Sequence, residues 1–160
     1  MDLVTFNALP SHRAVAELAA CCSSPSWAQR LARSRPFVTV DELIRCADLI
    51  LVQLGEDELD TALAGHPRIG ENFGHASSRR EQAGVATADA EVRKALARAN
   101  RDYEARFGHV YLVCADGRSG EELLRVLHER LGNDAVTERG VLRDELAKIN
   151  RVRLARLVNA

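Results

Sequence analysis

Apolar residues recur at helical spacing along most of this chain. Val15, Leu18, Ala19 and Cys22 fall on one face of a segment that Ser11 opens and Pro25 follows. Trp27 and Leu31 mark a short helix capped by Ser26 and closed before Pro36. Thr39 and Glu42 have the spacing of a capping box. Leu43, Ala47, Ile50, Leu51 and Leu54 then follow at intervals of three and four, with Gly55 as the stop. A shorter helix covers 56–64 and ends at Gly65.

The period lapses over residues 65–88, which read as an ordered, glycine-containing loop. It resumes with Val92, Leu96, Ala99, Tyr103 and Phe107 and stops at Gly108. Ser119 and Glu122 form a second capping box, ahead of Leu123, Leu127 and Leu131. A last helix covers 134–158, weakened at Gly140 by roughly 1 kcal/mol relative to alanine. The run Val-Tyr-Leu-Val-Cys at 110–114 fits a strand or a buried extended segment equally well by pattern. No second strand signal offers it a partner, so an extended segment inside a helical fold is expected. The expectation is an all-α chain of seven or eight helices, one domain over 1–160, with no extended sheet.

Composition narrows the function. A formal net charge of -1, with basic residues interleaved among acids, gives no broad surface for nucleic acid. No apolar run approaches the roughly 18 residues of a membrane span, and the N-terminus reads as no signal sequence. Cys21, Cys22, Cys46 and Cys114 have neither zinc nor disulfide spacing. They read as reduced, packed thiols in a cytoplasmic protein.

Three features carry candidate chemistry. In Gly65-His66-Pro67-Arg68-Ile69-Gly70 the proline biases His66 away from helix, which puts the imidazole at a stiff corner. A free imidazole titrates near about pH 6.5 and serves as acid or base near neutrality. An ordinary helix-ending turn with a surface histidine fits the same pattern. In Ser78-Arg79-Arg80-Glu81-Gln82, Glu81 either orients His66 or handles a proton, or Ser78 and Glu81 simply start a helical turn. Arg153 falls among Leu142, Leu146, Ile149 and Leu157 on one side of the last helix, while Arg151 points away. A core-facing guanidinium requires an internal carboxylate or an anionic ligand. His66 and His75 match no zinc spacing, and Gly117-Arg118-Ser119-Gly120 lacks the lysine of a phosphate loop.

These segments, together with Phe6-Asn7-Ala8-Leu9-Pro10, Trp27, Tyr103-Glu104-Ala105-Arg106-Phe107-Gly108 and Glu145-Leu146-Ala147-Lys148-Ile149, cover nearly the whole chain. In this order they resemble the OHCU decarboxylase family (2-oxo-4-hydroxy-4-carboxy-5-ureidoimidazoline decarboxylase). The resemblance implies an all-helical homodimer that converts OHCU to (S)-allantoin and CO2 in urate degradation, with no metal or organic cofactor. It implies His66 as the central catalytic residue with Glu81 beside it. It implies Pro67, Ser78, Gln82 and Arg153 as ligand-binding positions, with backbone contacts from Val110, Tyr111 and Leu112. The expectation is that His66, Glu81 and Arg153 converge on one small cavity. The rival readings are a non-catalytic module that binds a purine-derived ureide, and a hydrolase of a related ureide. Treatment with a chelator is expected to leave turnover unchanged; a loss restored by a divalent metal would contradict the cofactor-free reading.

Overall fold

Side-chain caps start several of the helices. A computed structural model describes residues 1–70 and 76–159, the side chains of 76–78 excepted. Its contacts gather in two units: Met1–Gly65 with Ala147–Ala160, and His66–Leu146. Among the described residues there is no β-strand, only an isolated antiparallel bridge between Asp2 and Asn159. The all-α expectation holds.

In the first unit, α1 (Leu3–Ala8) starts at Asp2, whose carboxylate accepts the Thr5 N–H at 2.7 Å. Helix α2 (Ser11–Cys21) has Pro10 as its cap, so Ser11 lies just inside it. Its buried face is Ala14, Leu18 and Cys21; of the expected set Leu18 and Cys22 are buried, while Val15 and Ala19 are not. Helix α3 (Pro25–Arg33) is capped by Ser24 instead of Ser26; the Ser24 hydroxyl accepts the Trp27 N–H at 3.2 Å. Pro25 then occupies the first helical position, where its missing N–H does no harm.

Helix α4 (Val40–Val52) begins at Thr39, which accepts the Glu42 N–H at 3.1 Å. The Glu42 carboxylate reaches past the cap to the Val38 N–H at 2.7 Å. Gly55 opens the next helix, α5 (Glu56–Ala64), instead of closing α4. Trp27 is fully buried, and its indole N–H donates to the Ala47 carbonyl at 3.0 Å. Gly65 ends α5 where a Cβ would lie 1.9 Å from the Ser23 hydroxyl oxygen and 2.6 Å from Ser23 Cβ. No larger residue fits there without a shift.

The second unit shows what the sequence pattern concealed. Within the expected loop are two short helices, α6 (Ala76–Glu81) and α7 (Ala83–Ala86). Six and four residues are too few to display a helical period. Helix α8 (Ala90–Phe107) ends at Gly108 with φ 77°, the left-handed stop expected of glycine. Helix α9 (Gly120–Arg130) is capped by Ser119, which accepts the Glu122 N–H at 3.2 Å. The last helix, α10 (Ala135–Val158), contributes to both units.

Leu96, Ala99 and Tyr103 of α8, Leu123 and Leu127 of α9, and Ile69 and Val85 surround Tyr111 and Val113. Residues 110–114 are thus a buried extended segment without a strand partner, as expected. Side chains satisfy its backbone in place of a sheet. Arg130 donates to the Leu112 carbonyl at 2.6 Å, and Glu145 accepts the Cys114 N–H at 2.8 Å.

Arg130 is 5% exposed and Glu138 is fully buried. They pair at 2.5 Å, and Tyr103 and Asn133 also donate to the Glu138 carboxylate. The guanidinium carbon lies 4.8 Å from the Tyr111 ring centroid. Burial, then the Glu138 contact, push the Tyr103 phenol far above its ordinary range, so it stays a neutral donor. Replacing Arg130 by methionine leaves a buried carboxylate without its cation. Arg130→Met is expected to cost about 3–5 kcal/mol in denaturant unfolding; a loss under about 1 kcal/mol would show that the pair is not what secures this segment.

Candidate active site

His66 follows the glycine that ends α5 and is 8% exposed. The surface-histidine reading of this motif is therefore incorrect, because the ring is inside the fold. The bend that carries it is held at three further points. Arg68 meets the Glu104 carboxylate through Nε at 2.5 Å and through Nη2 at 3.0 Å, a bidentate pair. Asn100 donates to the Ile69 carbonyl at 2.9 Å in a buried setting. Gln82 accepts the Gly70 N–H at 3.0 Å. Gly70 itself has φ 88°, which a side chain would oppose.

Arg68 holds the Glu104 carboxyl below its usual range. A depressed folded value means the pair contributes above the ordinary carboxylate range and is lost as the pH falls through the folded value. The clamp is therefore intact at neutral pH. Asn100 and Glu104 were not singled out as site residues from the sequence. The signal was an asparagine in the apolar stripe of α8 and a glutamate within the Tyr103-Glu104-Ala105-Arg106 segment.

The other expected residues fall in both units. Pro67 is half-buried, Glu81 ends α6 half-buried, and Gln82 is 4% exposed. All three share the second unit with His66. Ser78 lies inside α6, so its place is not that of a helix cap; its side chain, like His75 and the rest of 71–75, is outside the described residues. Tyr111 and Leu112 are 1% and 4% exposed, and Val110 is half-buried. The Tyr111 hydroxyl donates to the Leu123 carbonyl at 3.1 Å. Among the described residues no three His, Cys, Asp or Glu side chains are grouped as a metal ion requires. No helix among them is long and apolar enough to cross a membrane.

Arg153 belongs to the first unit, where it donates to the Cys21 carbonyl at 3.0 Å. It is half-buried, at the edge of the apolar stripe and not in its middle. The covered face of α10 rotates along its length, from Leu142 and Leu146 to Asn150, Leu154 and Val158. Arg151 is exposed, as expected, and pairs with Asp48 at 3.0 Å. Asn150, 2% exposed, was missed by the sequence reading. Beside it lies the Cys22 thiol, pushed up by burial against the opposing pull of the Ser24 N–H, Asn150 and Arg153.

A separate groove of about 380 Å³ lies in the second unit between Ala83, Gly84 and Thr87 and the start of α9. None of the expected site residues lines it.

The family model described as OHCU decarboxylase matches residues 7–155. The "Uric acid degradation bifunctional protein TTL" of Arabidopsis thaliana is 28% identical over 145 residues, covering 86% of this chain and 45% of that protein. The 2-oxo-4-hydroxy-4-carboxy-5-ureidoimidazoline decarboxylase of Amia calva is 39% identical over 85 residues, 52% of this chain and 49% of that one. This alignment thus spans about half the length of each of these relatives. A crystal structure of OHCU decarboxylase in the presence of (S)-allantoin superposes with a TM-score of 0.81 at 30% identity, covering 90% of this chain and 98% of that chain. By a family match that leaves out only a few residues at each end, and by the fold it shares with that crystal structure, this chain belongs to the OHCU decarboxylase family.

Proposed function

We propose that this chain decarboxylates OHCU stereoselectively to (S)-allantoin and CO2, as a cofactor-independent lyase of urate degradation. The observation that carries the reading is the family match over residues 7–155, within which the chain holds His66-Pro67, Glu81-Gln82 and Arg153. The clamped bend at His66 supports it from the structural side.

The chemistry needs no borrowed electron sink. The carboxylate of OHCU sits on a ring carbon that also bears a hydroxyl and adjoins a C=N bond. Breaking the bond to CO2 moves its electron pair into a new ring C=C, and the C=N pair moves onto nitrogen, which takes a proton. The resulting enol then gives up its hydroxyl proton as the neighbouring carbon gains one. That gain sets the stereocentre of allantoin. Most cofactor decarboxylases supply the sink from outside; here the substrate carries it. The protein has to orient the carboxylate, place hydrogen bonds at developing charge and deliver a proton to one face.

In this reading His66 exchanges a proton with the hydroxyl or the ring. Glu81 fixes the position of that proton and shares in its transfer. Arg153 binds an anionic or carbonyl oxygen, and Pro67, Ser78, Gln82 and the 110–112 segment contact the ligand. An imidazole on a braced bend suits the role, since a misplacement of about 1 Å lowers such a rate roughly 100-fold. The reading also takes the chain to act as a homodimer in the cytoplasm, following the family resemblance and the cysteine spacing.

The test is circular dichroism on freshly generated OHCU. The protein is expected to produce a rapid (S)-allantoin signal where the uncatalysed reaction gives a racemate. No acceleration, or release of ammonia or urea in place of CO2, would refute the assignment. His66→Ala is expected to lose at least about 100-fold in enantioselective turnover while its far-ultraviolet spectrum stays helical. Near-normal turnover by that variant would remove His66 from the mechanism.

A further inference from the structure

Asn150 stands one helical turn before Arg153 on α10, and a separation of three residues puts both on one face. It is 2% exposed. Among the described residues neither its amide nitrogen nor its carbonyl oxygen has a hydrogen-bond partner. Turning the amide over changes nothing, because both ends are in the same condition. The Cys22 thiol beside it is 1% exposed and is drawn down by the Asn150 amide, but no hydrogen bond of accepted length and angle joins the two. A buried amide without a partner is costly, and a leucine of nearly the same size would fill the place without that penalty. Its neighbours in the covered face, Ile149 and Leu154, are of that apolar kind. The polar group therefore calls for a role in binding.

We propose that Asn150 is a substrate-reading residue, pairing its amide with the amide-like edge of a ureide whose oxygen is bound by Arg153. The inference rests on the decarboxylase reading and adds a specificity determinant to it. A primary amide presents one acceptor beside one donor. A ureido group, like the N–H and C=O of an imidazolone ring, presents the complementary pair, so two parallel hydrogen bonds close between them. An isosteric carboxylate offers acceptors at both positions and leaves the Asn150 carbonyl unmet. A residue set to hydrogen-bond in this way rejects analogues lacking the group more strongly than an apolar pocket could.

The experiment uses the full chain. In a ¹⁵N spectrum, the Asn150 side-chain NH2 is assigned by its disappearance in Asn150→Leu, and (S)-allantoin is then titrated into the wild type. The expected result is a saturable shift of that resonance. With OHCU as substrate, Asn150→Leu and the smaller Asn150→Ala are both expected to raise KM roughly tenfold, with KM carrying most of the loss in kcat/KM. The leucine variant is expected to melt no lower than wild type, which a structural asparagine would not allow. An unmoved resonance at saturating allantoin, or a KM within about twofold of wild type in both folded variants, overturns the proposal. If the wild type fails to turn over OHCU, the decarboxylase reading falls; the allantoin titration then still decides for or against Asn150.

Discussion

Asn100 donates to the Ile69 carbonyl and Gln82 accepts the Gly70 N–H, at 2.9 and 3.0 Å. Between them these two amides do for the backbone of Ile69 and Gly70 what a helix or a sheet does for ordinary backbone. A loop that left such groups without partners would have to stay solvated and mobile. Here the side chains are themselves 4% exposed, anchored on α8 and at the junction of α6 and α7. The bend is therefore as stiff as the elements that supply its partners. The bidentate Arg68–Glu104 pair adds a third tie at the more exposed edge. Its contribution to stability is small, and its effect is on direction.

The same device recurs at residues 110–114. That segment is extended but belongs to no sheet, and Arg130 and Glu145 meet its backbone from α9 and α10. Using a charged side chain inside the fold is unfavourable unless the charge is fully met. Glu138 and the Tyr111 ring meet the Arg130 charge, and Tyr103 and Asn133 donate to Glu138 in turn. The 66–70 bend and the extended 110–114 segment are thus both tied by buried polar side chains from the surrounding helices and their junctions. Such an arrangement suits a site that must hold reacting groups in register.

Much of this was legible in the sequence. The caps at Thr39 and Ser119 and the stop at Gly108 are local signals, and each lies where the pattern placed it. The caps at Pro10 and Ser24 were misread by one and two residues, because adjacent serines and prolines offer near-equivalent starts. Helices α6 and α7 were invisible because they are shorter than the window in which a period shows. Arg153 was read as central to its stripe because a straight wheel assumes one covered face, and α10 turns its covered face along its length. Asn100 and Asn150 were overlooked for a different reason: a buried asparagine is silent in a pattern of apolar positions. What it contacts depends on residues 31 or more positions away, as Ile69 is from Asn100.

The chemistry proposed for the site asks one thing of the fold: an imidazole held still while a proton reaches one face of a planar intermediate. The measurement that tests this most directly is the rate and enantiomeric excess of allantoin formed by Asn100→Leu, which deletes one tie on the bend and leaves His66 in place. The expected result is a helical, folded protein whose (S)-selective rate is well below that of wild type. A folded variant with full rate and full enantiomeric excess would contradict it.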